Sequence, residues 1–125
     1  MNAQGWNVLL VDDEVEFITT LAERLELRGF SARVVHDGMS ALEAAAKEEP
    51  QAMVLDLMMP GLNGLDVLRR VRRDHPAVPV ILLTGQGKAQ DGAEGVKLGA
   101  FSYMTKPLDL EELLSTLGQA IGARA

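Results

Sequence analysis

The chain has 125 residues, 47% of them hydrophobic and 24% charged, a formal net charge of -6 and no cysteine. That is the balance of one ordinary globular domain with enough length to bury a core, so residues 1–125 are read as a single domain. The negative charge excludes nonspecific nucleic-acid binding, which runs on lysine and arginine neutralising phosphates. The missing cysteines exclude a disulfide frame and a thiolate metal site, and they fit a reducing compartment.

Residues 1–7 carry no positive charge and no apolar run, so no signal peptide is read. The longest apolar stretches are too short to span a bilayer. The expectation is a cytoplasmic protein with no membrane partner.

In chain order, 8–11 is a short apolar run that stops at Asp12-Asp13-Glu14 and reads as a first strand. A helix over about 15–28 follows, with Phe17, Leu21 and Leu25 at fourfold spacing and Ile18 and Ala22 widening the stripe. Gly29 supplies its stop. Residues 32–35 predict a second strand, His36-Asp37-Gly38 a turn, and about 39–48 an alanine-rich helix that ends before Pro50. Trp6 is expected against the edge of the sheet, and His36 and His75 in surface turns without a role.

The stretch 52–55 is apolar without alternation, the pattern of a parallel strand buried on both faces, and it ends in Asp56. Pro60-Gly61 turns the chain, and Asn63-Gly64 opens a helix over about 65–73. Leu65, Leu68 and Val71 form its apolar face. Arg69, Arg70, Arg72 and Arg73 make a solvated face. A fourth strand covers 78–83, closed by Thr84-Gly85-Gln86-Gly87. The helix expected at 88–98 is a poor one, because Gly92 and Gly95 each cost roughly 1 kcal/mol against alanine. The last strand, 100–104, ends at Thr105-Lys106-Pro107, and a helix striped by Leu110, Leu113, Leu114 and Leu117 runs to about 121.

Five strands alternating with five helices imply a parallel sheet covered on both faces. Ligands of open α/β sheets bind outside the carboxyl ends of the strands. Asp12 and Asp13, Asp56, Thr84 and Lys106 all stand at such ends, so three carboxylates, a hydroxyl and an amine should converge. Three acids in one pocket repel one another unless a cation enters. Hard oxygen donors with room for water suit Mg2+, and the motifs hold no histidine or cysteine for zinc.

Val11-Asp12-Asp13-Glu14, Leu55-Asp56-Leu57-Met58-Met59-Pro60-Gly61, Thr84-Gly85 and Lys106-Pro107, in this order and spacing, resemble the receiver domain of two-component response regulators. The resemblance covers nearly the whole chain. It implies a flavodoxin-like, doubly wound five-stranded parallel sheet, (βα)5, with strand order 2-1-3-4-5. It implies that Asp56 is the phosphoacceptor, attacking a phosphohistidine on a partner to give an acyl phosphate. Asp13, Asp56 and the backbone carbonyl of Met58 would bind Mg2+, with Mn2+ as the alternative, and Asp12 would act through a metal-bound water or at longer range. Lys106 would pair with one phosphoryl oxygen and the Thr84 hydroxyl with another, across a cis Lys106-Pro107 bond.

Tyr103 matches the family's switch aromatic, and movement of Thr84 would let it rotate inward and change the surface of the last two helices and the strand between them. The glycine-weakened fourth helix is the expected moving part. Met58 and Gln86 would flank the pocket mouth and tune the lifetime of the phosphoryl group. Leu108 departs from the family, where phenylalanine is commoner, and should alter the output face.

The chain would not be an enzyme in its own right, catalysing only its own phosphorylation and dephosphorylation. A histidine kinase or phosphotransfer domain should dock on the first helix near Val15 and Ile18 and on the loop after Lys106. An output partner or a second copy would use the face of the fourth helix, last strand and last helix. Two other readings stand beside this one. A dehalogenase-type phosphatase needs a second carboxylate two residues past its nucleophile, where this chain has Met58. An unphosphorylated interaction domain would not need the set Asp13, Asp56, Thr84 and Lys106. No effector domain follows Ala125, which leaves a stand-alone regulator and a receiver excised from a longer protein both open.

Overall fold

A computed structural model describes residues 5–124. Residues 1–4, over which most of the leader reading runs, and Ala125 lie outside the described residues. Strands β1 (Asn7–Val11), β2 (Ser31–Val35), β3 (Ala52–Asp56), β4 (Val80–Thr84) and β5 (Ser102–Thr105) alternate with helices α1 (Val15–Glu26), α2 (Gly38–Lys47), α3 (Gly64–Asp74), α4 (Ala89–Lys97) and α5 (Leu110–Arg124). Among the described residues the strands form one sheet in the order β2-β1-β3-β4-β5, every pairing parallel. That is the doubly wound, flavodoxin-like arrangement expected from the sequence.

Side chains alternate across the sheet and so divide the core into two layers. Val8, Leu10, Val54, Ile81 and Leu83 pack with α1 and α5, against Ile18, Leu25, Leu113 and Leu117. Leu9, Val11, Met53, Leu55 and Leu82 pack on the other side with Ala41, Val67, Leu68 and Val71 of α2 and α3. β3 and β4 are buried along their whole length, which is why their sequences do not alternate. Trp6 packs edge-on against Phe30 at the foot of β2, with ring centroids 6.2 Å apart, and β2 is one of the two edge strands among the described residues. Among the described residues no helix is long and apolar enough to cross a membrane.

Several boundaries differ from those read in the sequence, each for a local reason. β4 begins at Val80 and not at 78, because Pro79 lacks an N–H and the Val78 carbonyl accepts from Arg72 Nη1 at 3.2 Å. β5 begins at Ser102, because the Ala100 N–H is spent closing α4 on the Gly95 carbonyl at 3.0 Å. α1 stops at Glu26, where Arg28 and Gly29 turn back onto Leu25 and Glu26 and Gly29 takes φ +94°. α2 and α3 start one residue earlier than read, each on a side-chain cap: Asp37 accepts from the Ser40 N–H at 2.8 Å and Asn63 from the Leu65 N–H at 2.7 Å.

Candidate functional site

All five strands run the same way, so Asp12, Asp56, Thr84 and Lys106 reach one edge from four different segments. Asp12 and Asp56 are fully buried there, as is Thr84. Asp13 is exposed beside them, and one carboxylate oxygen from each of Asp12, Asp13 and Asp56 lies within 4.8 Å of the others. Asp13 does not cap α1: Glu14 occupies that position, without a side-chain cap bond.

Hydrogen bonds hold the two buried acids in place. Asp12 Oδ1 accepts from the Glu14 N–H at 2.9 Å, and Asp56 Oδ1 accepts from the Met58 N–H at 2.9 Å. Lys106 reaches in from beyond β5. Its ammonium lies 2.8 Å from Asp12 Oδ2 and 3.6 Å from Asp56 Oδ2, and it also contacts Glu14 Oε1. It sits 4.5 Å from the centre of the Phe17 ring, a cation–π contact. The Lys106-Pro107 bond is cis, as expected. Beyond this ion pair with Lys106, the buried Asp12 Oδ2 has no further hydrogen-bond partner. Thr84 Oγ1 makes only a long 3.5 Å bond to the Met104 carbonyl.

Three carboxylates therefore face one ammonium, and Asp13 stands close by as a fourth acid. Burial pushes the Asp56 carboxyl up to about 6, and repulsion from Asp12 adds to it, while the Met58 N–H and Lys106 pull the other way. Burial pulls Lys106 down, but its contacts with Asp12, Glu14 and Asp56 outweigh this and hold its pKa above the usual lysine value.

Met58 and Gln86 are both exposed, Met58 at 50%. Tyr103, half-buried, packs with the α2–α3 layer. Val15 is exposed, as a docking contact would be, but Ile18 is fully buried in the α1–α5 layer and offers no docking surface. The docking contact expected at Ile18 is thus corrected: the residue that widens the apolar stripe is spent on the core. The exposed feature on this side is a groove of about 490 Å³ lined by Phe17, Thr20, Arg24, Leu108 and Leu110 among others.

Sequence reasoning gave no role to Glu14 or Phe17. Glu14 stands two residues past Asp12 at the same strand end, a spacing that signals the pocket. Phe17 is one turn into α1, and its helical stripe position hid the contact with Lys106.

The response regulator receiver domain model matches residues 8–118. The uncharacterized transcriptional regulatory protein YkoG of Bacillus subtilis is 41% identical over 115 residues, 92% of this chain and 50% of that protein. The response regulator MprA of Mycobacterium avium is 38% identical over 110 residues, covering 88% and 48%. The chain spans about half the length of these curated relatives. Among solved structures, the receiver domain of NtrX from Brucella abortus superposes with a TM-score of 0.89 at 30% identity, covering 93% of this chain and 98% of that one. The receiver domain of the Francisella response regulator 1452 gives 0.87 at 29%, covering 94% and 98%. The chain belongs to the response regulator receiver domains of two-component systems.

The raised pKa of Asp56 carries a sign for stability. Between the unfolded value near 4 and the folded value of about 6 the native state holds the extra proton. Stability from this group is therefore present at low pH and lost as pH rises through 6. In a chelating buffer at pH 7.5, Asp56→Asn should melt about 5 °C higher than wild type. The gain should shrink as pH falls through about 6 towards about 4. A difference that stays constant from pH 5 to 8 would contradict the assignment.

Proposed function

We propose that Asp56 is the phosphoacceptor of this receiver. The observation that carries the reading is a buried carboxylate at a strand end, held by the Met58 N–H, with Lys106 3.6 Å away. An Asp56 oxygen attacks phosphorus, a P–O bond forms, and the P–N bond of a partner's phosphohistidine breaks, its electron pair returning to the imidazole. The Met58 N–H already polarises Oδ1 and leaves Oδ2 to react. Lys106 then pairs with a phosphoryl oxygen in place of an acid, and Thr84 exchanges its long bond to the Met104 carbonyl for another phosphoryl oxygen.

The donor set fits Mg2+: three carboxylates close together, all oxygen, and one buried oxygen of Asp12 with no hydrogen bond beyond its ion pair with Lys106. Asp13, Asp56 and the Met58 carbonyl would hold the ion, with Asp12 supporting it. When bound it would supply positive charge against the phosphoryl oxygens.

Tyr103 and the α4–β5–α5 face would carry the response to an output partner or a second copy. Met58 and Gln86 would control water access. A histidine kinase or phosphotransfer domain would dock at the groove between α1 and Leu108. The chain would act in the cytoplasm and would not be an enzyme beyond its own phosphorylation and dephosphorylation. The similarity to transcriptional regulatory proteins about twice this length supports a DNA-binding output in a longer protein, with this chain as the input half.

Intact mass after incubation with acetyl phosphate tests the acceptor. A single phosphoryl adduct should form with Mg2+ and be absent without it, and absent in Asp56→Asn. Lys106→Ala should slow its formation by about 100-fold. An adduct that persists in Asp56→Asn would move the acceptor elsewhere. Two further variants separate the rim from the groove: Met58→Asn should shorten the adduct's half-life, whereas Thr20→Arg should slow transfer from a phosphorylated kinase but not from acetyl phosphate. Equal slowing with both donors would remove the groove as the docking site.

A further inference from the structure

The two glycines inside α4 are poor helix formers, and their helix forms nonetheless. Their surroundings give the reason. A Cβ on Gly92 would fall 2.4 Å from Tyr103 Cδ2, 2.5 Å from its Cγ and 3.0 Å from its Cβ. A Cβ on Gly95 would fall 2.1 Å from Leu82 Cδ1. Leu82 and Tyr103 are register partners on neighbouring strands, so they project from the same face of the sheet. The two side chains stand as pegs side by side, and α4 lies on them with its backbone bare at both points.

The two contacts are not equivalent. Leu82 meets Gly95 with the end of its side chain, which turns about χ2. Tyr103 meets Gly92 with the root of its ring. Only a change of χ1, or retreat of the whole helix, relieves that overlap.

We propose that Gly92 is the seat of the Tyr103 ring, the positioning residue that makes the ring and helix α4 move together. The inference rests on the reading of Tyr103 as the switch and deepens it. Thr84 Oγ1 is bonded to the carbonyl of Met104, the residue next to Tyr103. Withdrawal of that hydroxyl towards the pocket loosens the strand at the ring's own position. Once the ring leaves, the bare backbone at Gly92 faces an empty space the size of an aromatic edge, and α4 settles towards β5 to fill it. A side chain at 92 would hold the helix off and break this linkage.

The chain has one tyrosine, so 3-fluorotyrosine labelling gives a single 19F resonance that reports this ring. In metal-free protein, Gly92→Ala should shift that resonance away from its wild-type position and lower the melting temperature by a few degrees. In a Tyr103→Ala background the same Gly92→Ala should raise the melting temperature, because only the helix preference of alanine remains. An unmoved resonance, or a melting change of the same sign in both backgrounds, would overturn the seat. Adding Mg2+ and beryllofluoride to wild type reads the switch separately. A shift supports it, and a resonance that ignores the phosphoryl mimic would overturn the switch reading while leaving the metal-free comparison to decide the seat.

Discussion

Asp12 and Asp56 are taken out of water at the carboxyl edge of the sheet, and the ammonium of Lys106 is shared between them and Glu14. A buried charge is costly unless it is paired, and here the acids outnumber the ammonium. The sharing of one ammonium among several acids and the raised pKa of Asp56 are two expressions of that one imbalance. The rest of the site is arranged around it. On the proposed reading, a phosphoryl group on Asp56 would replace one carboxylate charge with a larger charge lying further out, within reach of Lys106 and Thr84.

The fold makes this imbalance possible. Parallel strands bring residues far apart in sequence to a single edge, and the two apolar layers hold the strands so rigidly that the acids cannot withdraw into solvent. The same rigidity gives the edge its leverage. Thr84 and Tyr103 belong to paired strands, β4 inside the sheet and β5 at its edge, so a displacement at the pocket passes to the place where those two strands are covered. That place is the short α4, whose backbone rests directly on Tyr103 and Leu82. The acid cluster stands at the ends of β1 and β3, and Thr84 and Lys106 reach it from β4 and β5, the two strands on which α4 rests.

Much of this could be read in the sequence because it is written locally. The unbroken apolar run before Asp56 states burial on both faces, and polar residues at successive strand ends state convergence once the strands are parallel. The strand order and the cis Lys106-Pro107 bond followed from the family resemblance and stand in the structure. What could not be read depends on contacts between segments. Glu14 and Phe17 matter because Lys106, far along the chain, lands on them. Gly92 and Gly95 read as weakness because propensity describes an isolated helix, whereas their neighbours reside on other strands. Ile18 was given a docking role that its burial forbids, since a stripe residue at the margin of an apolar face can fall on either side of the surface. Strand ends shifted by two residues where Pro79 and the closure of α4 took the backbone groups.

The central claim is that the acid cluster is an excess of negative charge built to receive a divalent cation. The most direct measurement is the melting temperature at pH 7.5 in a chelating buffer and in millimolar Mg2+, for wild type and Asp13→Asn. A ligand that binds only the native state raises stability by about 2.7 kcal/mol at a hundredfold excess over its Kd. The account predicts that Mg2+ raises the melting temperature of wild type by several degrees and leaves Asp13→Asn nearly unchanged. Identical melting with and without Mg2+, or a rise that persists undiminished in Asp13→Asn, would contradict it.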